Sequence, residues 1–141
     1  MGPRASRDDT TLRSGAAKAE VLLATAAGAW EDDADATALL SALAEVGVAA
    51  APAVWDDPSV RWADASLVVV RSTWDYAPRR DQFIDWARRV QRATTIANHA
   101  DVIAWNTDKR YLSELAGAGI AVVPTSFCAP WDTAGVARSL R

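Results

Sequence analysis

A chain of 141 residues is about one domain long, enough for a single core and too short for a multi-domain enzyme. Half of its residues are hydrophobic, so a globular fold is expected, and a net charge of −3 gives no reason to expect a nucleic acid or an anionic membrane as partner. The lone cysteine, Cys128, excludes an internal disulfide, and with the lone histidine, His99, it leaves no zinc set, so the cytoplasm is the expected compartment.

Residues 1–19 are polar and rich in Gly, Ser, Arg, Asp and Thr, and they read as a disordered lead-in. Basic residues here (Arg4, Arg7, Arg13, Lys18) precede the apolar run Val21–Ala29, a signal-peptide outline; Asp8, Asp9 and Glu20 interrupt it, and the same run fits a buried first strand better. No stretch approaches the roughly 20 apolar residues that span a bilayer.

Strand one is Val21–Thr25. A helix follows over about Asp35–Val46, with Leu39, Leu40, Leu43 and Val46 as its inward stripe, Asp33 or Asp35 as cap and Gly47 as left-handed terminator. Strand two spans about Val48–Val54 and is closed by Asp56-Asp57-Pro58. Strand three, Leu67–Arg71, is an unbroken apolar run of the kind a two-faced parallel sheet demands. After a loop over Ser72–Ala77, Pro78 opens a helix with Phe83, Trp86, Ala87 and Val90 turned inward. Strand four is Thr95–Asn98. A short turn or helix lies near Asp101–Trp105, a helix runs from about Thr107 to Ala116, and strand five is Ile120–Val123, stopped by Pro124. This alternation predicts an α/β, Rossmann-like open sheet of about five mostly parallel strands with helices on both faces. Ligands bind such sheets beyond the carboxyl ends of their strands.

Two segments fall there. Arg71-Ser72-Thr73-Trp74-Asp75-Tyr76 places a guanidinium, two hydroxyls, an indole, a carboxylate and a phenol at the end of strand three. Arg71 could hold a substrate carboxylate by two parallel hydrogen bonds, Ser72 and Thr73 could orient it, and Asp75 could pair with an amine. The plainer alternative has Asp75 capping the next helix and Trp74 filling core. A charge at the end of a buried strand needs a partner, which favours binding. In Trp105-Asn106-Thr107-Asp108-Lys109-Arg110-Tyr111-Leu112, Lys109 is expected in the first turn of a helix. A cation there opposes the macrodipole unless an anion such as phosphate joins it; the alternative is a solvated lysine. Glu31-Asp32-Asp33 after strand one suits a Mg²⁺-holding receiver domain, but strand three runs into Arg71-Ser72 where a receiver needs an aspartate, so a solvated loop with a helix cap is expected. There is no Gly-rich phosphate loop and no serine elbow, and His99 reads as a loop residue.

Taken with Ala53-Val54-Trp55-Asp56-Asp57-Pro58 and Val122-Val123-Pro124-Thr125, these motifs resemble, in order and spacing, the bacterial ATP-grasp ligases akin to the cyclo-ligase of D-cycloserine biosynthesis, over about residues 21–130. The resemblance implies a pre-ATP-grasp domain over 20–125, followed over 126–141 by the start of a truncated ATP-grasp region. It implies an amino-terminal, substrate-side part of an ATP-dependent carboxylate–amine ligase, with Lys109 on ATP phosphate and Thr25, Arg71, Ser72, Thr73, Trp74, Asp75 and Tyr76 around a small carboxylate or amino-acid-like substrate. ATP and Mg²⁺ serve the complete enzyme; neither is expected to bind this chain tightly, because the remaining nucleotide and metal residues would lie beyond Arg141. The other readings are a stand-alone α/β small-molecule-binding module and a non-functional remnant. A homodimer is compatible with all three.

Overall fold

The computed structural model describes residues 19–129 and residue 137, so the expected lead-in and most of the 126–141 segment lie outside the described residues. Four parallel strands form one sheet: β1 (Val21–Thr25), β2 (Ala50–Val54), β3 (Leu67–Val70) and β4 (Thr95–Ala97), in the spatial order β2-β1-β3-β4. The register sets Leu22 beside Ala51 and Val68, and Val68 beside Ile96, so these side chains share one face of the sheet. Helix α2 (Arg80–Ala93) covers that face with Phe83, Trp86, Ala87 and Val90, which join Ala24, Val68 and Ile96 in the core. Its inward stripe is the expected one.

Helix α1 (Ala36–Glu45) connects β1 to β2, and α2 connects β3 to β4, in opposite directions across the sheet. Right-handed crossovers therefore put the two helices on opposite faces. Only Ala36 of α1 is buried; Leu39, Leu40 and Leu43 are half-buried and Val46 is 74% exposed. The expected stripe is thus incompletely covered, since α1 packs chiefly on edge strand β2, whose Ala50, Ala51, Pro52 and Ala53 offer little apolar bulk. Neither Asp33 nor Asp35 caps α1 with its side chain. Gly47 does terminate it, at φ 79°, with Val48 N–H donating back to Leu43 O at 2.9 Å.

The expected fifth strand does not form. Residues 120–123 carry no regular secondary structure and lie outside the sheet, and Ile120 and Val123 are exposed. A short apolar run carries no register of its own and becomes a strand only where a neighbour completes its ladder. Between the sheet and this segment lie α3 (Ala100–Asn106) and α4 (Tyr111–Gly117). The single helix expected from Thr107 starts at Tyr111 instead. Thr107 Oγ1 donates to Ala104 O at 3.1 Å, and the Asp108 carboxylate accepts from the Arg110 N–H at 3.1 Å. Such local bonds compete with the helical ladder and hold 107–110 as a turn.

Candidate functional site

The carboxyl ends of β1 and β3 are stitched together before any ligand is considered. Thr25, 2% exposed, spends its hydroxyl on Ser72 O and Ala26 O, each at 3.3 Å. Arg71 N–H donates to Ala24 O at 3.0 Å, and Ala26 N–H donates to Ser72 O at 2.9 Å, so the sheet pairing continues past the last strand residues. Above this seam Arg71 does not stand free. Its Nε and Nη2 donate to the two carboxylate oxygens of Asp33 at 2.8 and 3.0 Å, and the Ser72 hydroxyl donates to the same carboxylate at 2.5 Å. Asp35 adds a second carboxylate 3.9 Å from Nη2. Those hydrogen bonds, the Arg71 ones foremost, hold the Asp33 carboxyl well down, from the usual 3.8 to about 2.

The two-pronged edge that was to clamp a substrate carboxylate is therefore occupied by the protein's own carboxylate, and Asp33, expected as a helix cap in a solvated loop, is instead an ion-pair partner with a side chain 9% exposed. The signal was present in the sequence: a guanidinium ending an apolar strand demands a partner, and the loop after the neighbouring strand holds four carboxylates, Glu31, Asp32, Asp33 and Asp35. Which of the four would turn inward depends on the tight turns of residues 26–36, which place Ala29 in the core beside Ala26.

The rest of the segment divides by role. Thr73 is buried, and its hydroxyl makes no hydrogen bond among the described residues. Trp74, offered above as either ligand contact or core, is 60% exposed and is not core. Asp75 accepts from the indole N–H of Trp55 at 2.9 Å and pairs with Arg79, so its carboxylate is committed within the fold. Arg79 also reaches Asp56 at 2.5 Å and lies over the Trp55 ring, 4.6 Å from its centroid. Tyr76 stacks on Phe83 at 5.3 Å, and Phe83 on Trp86 at 5.2 Å, which anchors the strip of 74–79 (a 3₁₀ stretch containing Pro78, not the opening turn of α2) to the core.

Lys109 lies elsewhere. It precedes α4 rather than sitting in its first turn, is exposed, and folds back so that Nζ donates to Asn106 O at 3.2 Å and stands 5.7 Å from the Tyr111 ring centroid. Lys109 therefore does not stand against the dipole of a helix start, and that position makes no demand for an anion. No hydrogen bond, ion pair or ring contact joins Lys109 to Arg71 among the described residues. A residue the sequence reading passed over links the two segments: Arg80, opening α2, donates from Nε to Thr107 Oγ1 at 3.1 Å and from Nη2 to Ala104 O at 2.8 Å. His99 is the cap of α3, its Nδ1 accepting from Asp101 N–H. A separate hollow of about 460 Å³ lies between the loop after β2 and α2, lined among others by Trp55, Trp62, Trp86 and Arg89. The strip 71–76 is not part of its lining.

Comparison with known proteins decides the family. Residues 21–98 match the family described as D-cycloserine synthetase DcsG, N-terminal domain. The chain belongs to that family. Cycloserine biosynthesis protein DcsG of Streptomyces lavendulae is 37% identical over 102 residues, which are 72% of this chain and 34% of that protein. The crystal structure of D-cycloserine synthetase DcsG superposes with a TM-score of 0.72 at 35% identity, over 85% of this chain and 41% of that one. The chain thus spans well under half the length of these DcsG relatives. The matched residues end with the turn after β4, so the four-stranded sheet and the whole of the 71–76 strip lie inside the DcsG domain while Lys109 lies outside it. Among the described residues no helix is long and apolar enough to cross a membrane.

Proposed function

We propose that this chain is the amino-terminal, substrate-side domain of an ATP-dependent carboxylate–amine ligase of the ATP-grasp kind, and that it does not catalyse alone. The observation that carries the reading is the family match over residues 21–98, which takes in the polar strip at the carboxyl edge of a parallel sheet. In this reading the strip meets a small carboxylate or amino-acid-like substrate through what the fold leaves available: the outer edge of Arg71, the Thr73 hydroxyl and the exposed Trp74 indole. Thr25, Asp75 and Tyr76, engaged with the seam and the core, shape the site from beneath.

The described residues do not by themselves fit ATP or Mg²⁺. Lys109 is a single exposed ammonium already turned onto Asn106 O, and no group of three or more His, Cys, Asp or Glu is arranged to hold a metal ion among the described residues. In a complete ligase, ATP would supply the phosphoryl group that activates a carboxylate, and the cytoplasm would be its compartment.

The test is a chimera in which this chain replaces the corresponding segment of the Streptomyces lavendulae DcsG protein, assayed for ADP release. Arg71→Ala should raise the KM for the acceptor roughly tenfold or more, as loss of a charged hydrogen bond does, with little change for ATP. Lys109→Ala should do the reverse. A chimera that folds yet shows acceptor and ATP dependence untouched by either change would remove both residues from the site.

A further inference from the structure

The hollow between the loop after β2 and α2 lies apart from the 71–76 strip, and its walls are of a different kind. Trp55, Trp62 and Trp86 line it together with Val60 and Val90, around a space of about 460 Å³. The rings of Trp55 and Trp62 meet that of Trp86 at 64° and 74°, with centroids 6.0 and 5.2 Å apart. Edge-to-face packing of this kind makes an aromatic corner, and a corner offers ring surface to a flat guest. Two polar groups of α2 are unspent there. Trp86 is 3% exposed, and its indole N–H is a buried donor that meets no acceptor among the described residues. Such a donor costs free energy until an acceptor reaches it. Arg89 follows Trp86 by three residues and so lies on the same side of the helix. It lines the hollow, is exposed, and makes no ion pair or hydrogen bond among the described residues. The other charged side chains of the lining have partners: Asp56 pairs with Arg79, Arg61 pairs with Asp64, and the Asp57 carboxylate accepts from the Ser59 N–H.

We propose that this hollow binds a small, flat aromatic carboxylate, at a site distinct from the rim and independent of the substrate-side reading. The ring system lies in the tryptophan corner, the carboxylate meets the Arg89 guanidinium, and the ligand brings the acceptor that the Trp86 N–H lacks. An aromatic wall with a few placed polar groups is the usual form of a small-molecule pocket of this size. Ring burial supplies most of the affinity, and the uncommitted guanidinium selects an anion over a neutral ring of the same shape.

The experiment titrates the whole chain with 2-naphthoate and with its uncharged amide, 2-naphthamide, while the tryptophan indole N–H resonances are followed by NMR. In wild type both probes should shift the Trp86 indole resonance. The acid should bind with a dissociation constant of about 1 mM or below, and roughly two- to fivefold tighter than the amide. Arg89→Gln should abolish that preference and leave the affinity for the amide unchanged. Ala93→Leu adds bulk at an exposed α2 residue that also lines the hollow, and should weaken both probes roughly fivefold or more, as overfilling a packed site does. Unmoved resonances of Trp30 and Trp105, which do not line the hollow, show that each variant keeps the fold. A Trp86 resonance that neither probe moves overturns the site, and so does binding that survives Ala93→Leu undiminished. Equal binding of acid and amide in wild type, or an acid preference that survives Arg89→Gln, overturns the carboxylate class.

Discussion

Asp33 also writes a pH dependence into the protein. Its carboxyl is held at about 2 in the folded chain, against the usual 3.8, by hydrogen bonds from Arg71 first and Ser72 second. A carboxyl lowered by folding stabilises the native state fully above its unfolded value and loses that contribution as pH falls through the folded one. The difference in thermal midpoint between wild type and Asp33→Asn should therefore be constant above about pH 5 and shrink between about pH 4 and pH 2. A difference that does not change with pH would mean the carboxylate's charge is not what Arg71 uses. Asp108 is lowered to about 2 as well, by Arg110 and mainly through its side chain. That pair lies in an exposed turn, with Arg110 78% exposed, and its replacement should leave global stability nearly unchanged.

Elements differ in how firmly they are held. Helix α2 lays Phe83, Ile84, Trp86, Ala87 and Val90 into the core, and Phe83 alone touches the rings of Trp55, Tyr76 and Trp86. Phe83→Ala should cost about 3–5 kcal/mol in denaturant unfolding, the range for a buried aromatic whose cavity cannot collapse. It should also loosen the 74–79 strip that Tyr76 anchors, seen as faster amide exchange there. A loss below about 1 kcal/mol would show that this ring stack is not the core's keystone. Gly47 offers a cleaner case. At φ 79° a Cβ would meet nothing within 4 Å, so the cost of Gly47→Ala is backbone strain alone, about 1–2 kcal/mol. The effect should be local to the α1 end, because α1 buries only Ala36.

For the whole molecule, the four-stranded sheet and its 71–76 rim lie within the matched domain, while Lys109, the residue proposed to meet a nucleotide, is exposed and lies outside it. Calorimetry should find no micromolar affinity for ATP with Mg²⁺, since a single ammonium cannot supply the several kilocalories that micromolar binding requires. Micromolar binding would refute the reading of this chain as a substrate-side part. As for what could be read before folding, the parallel sheet, its order of strands and helices, the inward stripe of α2 and the stop at Gly47 were all local: unbroken apolar runs, 3.6-residue periodicity and a left-handed glycine are properties of neighbours in sequence. The polar strip at 71–76 was legible for the same reason, as residues that follow a buried strand. Three things needed the tertiary structure. Ile120–Val123 had the composition of a strand without a ladder partner; Lys109 was moved off a helix start by bonds that Thr107 and Asp108 make with their own turn; and Arg71 met Asp33, 38 residues away in sequence. Each is a pairing, and a sequence states what a residue can pair with, while only the folded chain decides which candidate arrives within hydrogen-bonding distance.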